Sequence, residues 1–224
     1  MHLSFLAVVP LLAASASDLI EVAPSTEPAA STSIGHRIDA LVVDLLRSDW
    51  TVRDAAVTSL VALVDGPEGR RHAAKVVDRV ALALEEPGAP TECALVLGRI
   101  GTDRARRVLA SHLVWASDDD EAQAALAGLW HCATDAEASA LLSVLESADP
   151  SSAVARKACL LLGRIRHEPA TRLLIDRLHS PHRGEAVDAH WALRALTGLS
   201  LGPEPELWET WWARTGRDRG PVAR

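Results

Sequence analysis

Thr91-Glu92-Cys93-Ala94-Leu95-Val96-Leu97-Gly98-Arg99-Ile100-Gly101-Thr102-Asp103 reads as the end of an apolar helix, a tight glycine turn and the polar start of a second helix. The phrase returns, with drift, about every 32 residues. With Leu97 as anchor, Leu60, Leu129, Leu162 and Leu193 fall in one column, 31 to 37 residues apart. Four positions before each anchor stand Ala56, Cys93, Ala125, Ala158 and Ala189, all small. Three positions after it stand Leu63, Ile100, Cys132, Ile165 and Leu196, all apolar. These offsets share one face of an α-helix, so every copy carries the same stripe. The small member lets a neighbouring helix approach, and the two larger ones fill the space between.

A second amphipathic segment follows each anchor, clearest at Arg104 to Trp115, Ala136 to Leu145 and Pro169 to Leu178. Thr102-Asp103, Thr134-Asp135 and Glu168-Pro169 supply helix-start signals for them. The unit is helix, turn, helix. One pair cannot bury its own stripe, so neighbouring pairs must stack. The expected fold is all-α.

The Leu-Gly-Arg-Ile phrases at Leu97 to Ile100 and at Leu162 to Ile165 resemble HEAT repeats of the short bacterial type, over roughly residues 34 to 200. The phrase Asp49-Trp50-x-Val52-Arg53-x-Ala55-Ala56 is similar to the start of the second helix of such a repeat. The resemblance implies a right-handed α-solenoid of about five stacked repeats, with Asp49 and Arg53 bridging neighbouring repeats. Other copies carry Pro90, Ala122 and Ala155 in place of the pair, which interrupts that ladder. The closing Leu196-Thr197-Gly198, Gly202-Pro203 and Trp208-x-x-Trp211-Trp212 resemble the final segment of many bacterial HEAT-repeat proteins. The three tryptophans share one helix face, suited to seal the open end of a solenoid. Short bacterial HEAT repeats are also similar to those of phycobilin lyases, which handle tetrapyrroles, and HEAT-type DNA-repair glycosylases form a third class.

Composition narrows these classes. A hydrophobic content of 48% with 24% charged residues describes a folded chain rather than a disordered one. The net charge of −7 lacks the basic footprint of a nucleic-acid binder, which argues against the glycosylase reading. Three cysteines close no disulfide framework, and their spacing fits no zinc pattern. Cys93 and Cys132 occupy apolar columns and Cys159 adjoins one, so they read as small buried hydrophobes.

Residues 1 to 16 hold no Asp, Glu, Lys or Arg, and Leu3 to Ala14 form an apolar run too short to span a membrane. Ala14-Ser15-Ala16 offers a small-x-small cleavage site, and no cysteine follows for a lipid anchor. Residues 1 to 16 are therefore expected to be a signal peptide that directs export to a periplasm or the exterior. Residues 17 to 33 are expected to be a flexible linker, 34 to 202 the repeats, and 203 to 224 a Trp-rich capping helix with a frayed tail.

No nucleophile-base-acid signature or phosphate loop stands out, so no catalytic residue, metal or cofactor is expected. His179, His182 and His190 read as solvated or loop histidines, since Pro181 breaks the helix between the first two. Ser117-Asp118-Asp119-Asp120-Glu121 reads as N-cap chemistry, not a calcium loop. What remains is the concave face of the inner helices. There Arg99, His131 and Arg164 lie opposite the buried stripe, Glu92 and Lys157 lie beside it, and Arg156 and Trp191 adjoin them. Such a stripe fits a partner protein's acidic segment, because arginine pairs with carboxylates bidentately. It also fits an ordinary solvated helix face.

Overall fold

The computed structural model describes residues 27–66, 69–86 and 88–215, with side chains from residue 34 onward. Residues 1 to 16, expected to be a signal peptide, lie outside the described residues. The described residues form α1 (Glu27–Leu45), α2 (Trp50–Asp65), α3 (Gly69–Leu84), α4 (Thr91–Ile100), α5 (Asp103–Val114), α6 (Asp119–Cys132), α7 (Ala138–Ser147), α8 (Ala153–Arg164), α9 (Thr171–Arg177), α10 (Arg183–Thr197) and α11 (Pro205–Thr215). Short 3-10 turns lead into α7 and α9, and no strand occurs among the described residues. The fold is all-α. No helix among the described residues is long and apolar enough to cross a membrane.

The helices alternate between two rows. In one row α2 packs on α4, α4 on α6, α6 on α8 and α8 on α10; in the other, α1 meets α3, α3 meets α5 and α5 meets α7. The core lies between the rows. All five anchors and all five small residues four positions before them are buried there. The five residues at +3 are partly buried at its edge.

Local chemistry sets the helix ends. The Thr102 hydroxyl accepts from the Ala105 amide at 3.2 Å, and Thr134 and Glu137 form a reciprocal capping box. Asp118 and Glu121 do the same work before α6. The Asp118 carboxylate accepts from the Glu121 amide at 2.9 Å, and Glu121 accepts from the Ser117 amide at 2.8 Å. Gly101 ends α4 in the left-handed region, with φ 62°.

One boundary differs from the sequence expectation. α1 begins at Glu27, inside the stretch expected to be linker. Pro28 falls in its first turn, where a missing amide hydrogen costs nothing, and Ala29 and Ala30 favour continuation.

The chain closes on α11. Trp208 is fully buried, and its indole Nε1 donates to the Gly202 carbonyl at 2.8 Å. Its ring meets His190 and Trp211 edge-on, at 6.1 and 5.9 Å between centroids. His190 Nε2 lies 2.9 Å from the Leu201 carbonyl, which ties the loop before α11 to α10.

Candidate functional site

Successive helices of the even row do not cross at equal distance. α4–α6 and α8–α10 are the closest neighbours, while α2–α4 and α6–α8 stand wider apart. The residue after one anchor faces the residue before the next. Across α4–α6 these are Gly98 and Gly128, and across α8–α10 they are Gly163 and Ala192, all in backbone contact. The corresponding residues are Val61 and Val96 across α2–α4, and Trp130 and Leu161 across α6–α8. Those positions carry large side chains, which favour a wider crossing.

The wider α6–α8 spacing leaves a cleft of about 390 Å³, lined by α4, α6 and α8 alone. Leu95, Leu126, Ala127, Trp130 and Leu160 make it apolar, and His131 and Lys157 stand at its edges. Ala127 and Lys157 also line an adjoining cleft of about 560 Å³, which is polar. Its walls include Arg53, Glu92, Asp118, Asp120, Glu121 and Gln123.

The expected site residues divide by what they touch. Arg156 Nε pairs with Asp188 at 2.6 Å and lines neither cleft. Glu92 is held by Arg53 Nε at 2.9 Å, so Arg53 does bridge α2 and α4, though through Glu92 rather than an Asp49 counterpart. Asp49 instead caps α2, accepting from the Thr51 amide and hydroxyl. These bonds, with the Thr51 hydroxyl the larger cause, hold the Asp49 carboxyl below its ordinary pKa. Arg164 lies over the Trp130 ring at 5.4 Å and donates to the Trp130 carbonyl. It thereby satisfies an orphan carbonyl at the end of α6. Trp191 is exposed beneath Arg194, at 5.0 Å, and does not line the apolar cleft. Arg99, His131 and Lys157 are in no hydrogen bond or ion pair with another described residue.

Trp130 lines the apolar cleft and is not marked as a site residue by the sequence. Its signal was the column after the anchor, where Gly98 and Gly163 alternate with it. The charges are ordered along the helices. Arg99, His131 and Arg164 lie in the last turns of α4, α6 and α8, while Asp119, Asp120 and Glu121 fill the first turn of α6. Both ends complement the helix dipoles.

Burial pushes the Cys132 thiol, at the end of α6, up to about 11, with smaller opposing effects of Arg106 and Arg164. It is not a ready nucleophile near neutral pH. His179 binds Glu209 at 2.9 Å and His190 faces the Leu201 carbonyl, so these two rings turn to separate partners. Among the described residues no group of three or more His, Cys, Asp or Glu side chains is arranged to hold a metal ion. An apolar floor thus adjoins a polar cleft that holds Asp118, Asp120 and Glu121, with His131 and Lys157 lining the apolar part. No protein-family model matches the chain, and no curated protein matches it in sequence.

Proposed function

We propose that the chain is a HEAT-type right-handed α-solenoid of about five repeats that acts, without catalysis, as a protein-interaction scaffold. Its even row forms the concave face, and that face engages a partner protein through a segment bearing acidic and apolar side chains. The observation that carries this reading is the apolar cleft between α6 and α8, lined in part by His131 and Lys157, with Arg99 one helical turn beyond the cleft-lining Leu95; none of the three has a hydrogen-bond or ion-pair partner among the described residues. An apolar cleft with a few placed polar groups is the usual form of a binding site. Unpaired guanidinium and ammonium groups are available to a partner's carboxylates at no cost in broken ion pairs.

The test places a photo-crosslinking amino acid at Ala127, in the cleft, or at the exposed Arg107 on α5 as control, in the protein's own cells. A single partner crosslinked from position 127 and not from 107, and lost on Arg99→Glu with Lys157→Glu, supports the proposal. Crosslinking that is equal from both positions, or unchanged by the charge reversals, overturns it. We also propose export, with removal of the first 16 residues. An intact mass matching the full chain in the cytoplasm overturns that part.

A further inference from the structure

The two clefts adjoin but differ in chemistry, and the difference runs in one direction. Asp120 stands in the first turn of α6, exposed, with no partner among the described residues; Asp118 and Glu121 beside it are engaged in capping. At the other end, Arg99 and His131 are unpaired in the last turns of α4 and α6. The apolar pocket of Leu95, Leu126, Trp130 and Leu160 lies between. Eleven residues separate Asp120 from His131, which at 1.5 Å per residue is about 16 Å along α6. An extended chain covers that span in about five residues.

We infer that the groove selects the charge order of its occupant. The segment it takes is short, extended and bipolar: one large apolar anchor, a basic side chain on the side facing Asp120 and an acidic one on the side facing Arg99 and His131. This rests on the interaction reading above and narrows it. A uniformly acidic segment would set carboxylates against Asp118, Asp120 and Glu121, and a uniformly basic one would meet Arg99, His131 and Arg164. Only opposite charges on the two sides of the anchor satisfy both ends. The pocket of about 390 Å³ is sized for one or two large side chains rather than a whole helix face. Lys157, where the clefts join, is placed to donate to the segment's backbone carbonyls.

The test is selection of a random twelve-residue peptide library on the full-length protein, followed by calorimetric titration of the enriched peptides. The variants Leu160→Arg, Asp120→Lys and Arg99→Glu are titrated in parallel, each checked for unchanged helical circular dichroism. The inference expects an apolar anchor flanked by one basic and one acidic residue. It expects a loss of about thirtyfold on Leu160→Arg and of about threefold to fivefold on either rim change. A peptide with its basic residue replaced by an acid regains affinity on Asp120→Lys. Peptides that lose binding on Leu160→Arg yet carry no opposed charges, and ignore Asp120→Lys, overturn the charge order and leave the interaction reading standing. Peptides indifferent to Leu160→Arg, or no enrichment at all, overturn both.

Discussion

Gly98 of α4 lies directly against Gly128 of α6, so close that a Cβ on Gly98 would stand 2.2 Å from the Gly128 carbonyl oxygen. Gly163 of α8 repeats the relationship, its Cβ falling 2.4 Å from the Ala192 α-carbon of α10. Both obstacles are backbone, so neither yields to a rotamer change. Gly98→Ala and Gly163→Ala are each expected to force their helices apart, at about 1–3 kcal/mol for overpacking. Alanine's better helix propensity returns about 1 kcal/mol at most. In a chain of this size each net kcal/mol lowers Tm by about 2–4 °C. Trp130→Ala, in the same column, leaves Tm within about 3 °C, because that ring is 43% exposed and holds no close crossing. Thermal unfolding of the three variants decides the matter. Equal tolerance of alanine at all three positions would contradict the spacing described for the even row.

The two best copies of the repeat phrase differ at one turn position, and the structure shows the consequence. Leu97-Gly98-Arg99-Ile100 is followed by Gly101, and Leu162-Gly163-Arg164-Ile165 by Arg166. Both last residues take a left-handed conformation, with φ 62° at Gly101 and 55° at Arg166. A side chain there costs about 1 kcal/mol, and the exposed Arg166 side chain makes no hydrogen bond or ion pair with another described residue. Arg166→Gly is therefore expected to stabilise the protein by about 1 kcal/mol in urea unfolding, without change in the slope. A loss of stability would mean that Arg166 makes a favourable interaction that outweighs its backbone strain.

These two features mark the limit of what the sequence shows by itself. The anchor column and the small column are periodic properties of single helices, so Leu60 to Leu193 and Ala56 to Ala189 were identifiable and are all buried. The alternation of tight and wide crossings depends on which residue of one helix faces which of the next. Periodicity consequently does not mark Trp130, although Gly98 and Gly163 occupy its column. The basic stripe was identified by position and not by pairing. Arg156 and Asp188 are one repeat apart, and only the stacking of α8 on α10 brings them to 2.6 Å. The start of α1 is not legible in the sequence, because a Ser/Thr/Ala-rich stretch with a proline satisfies linker and first-turn rules alike.

The cysteines make a pH-dependent prediction. Burial raises the Cys93 and Cys132 thiols to about 11 and the Cys159 thiol to about 12, against an ordinary value of 9.0. At about pH 8 the thiolate of the most favoured of these is roughly one part in a thousand. Alkylation by iodoacetamide is expected to be slow in the folded protein, first at half-buried Cys132, and rapid at all three once unfolded. The sign for stability follows. Between the ordinary value and the raised one, the unfolded chain has released protons that the folded chain still holds, so stability falls as pH rises. Below the ordinary value these thiols contribute no pH dependence. Urea midpoints that stayed level or rose from about pH 8.5 to 10.5 would contradict the burial of these groups.

Arg177 and Glu185 form the most enclosed ion pair among the described residues, with side chains 14% and 4% exposed. Arg177 Nη1 donates to Glu185 Oε1 in the first turn of α10, and Nη2 donates to the Leu145 carbonyl in the last turn of α7. One guanidinium thus joins α7, α9 and α10 and satisfies a carbonyl that α7 leaves without a helical partner. Arg177→Met leaves a buried carboxylate without a counter-charge and is expected to cost about 3–5 kcal/mol. Arg177→Met with Glu185→Leu removes both charges and is expected to recover most of that loss, since a buried pair and an apolar pair of similar volume are often close in free energy. The Leu145 carbonyl stays unpaired in both variants, and its cost, about 1–3 kcal/mol, bounds the recovery. A double-mutant cycle by urea unfolding separates these contributions. Additive losses in the double variant would show that Glu185 is stabilised by water and not by Arg177, and the joining of three helices through this one side chain would then have to be abandoned.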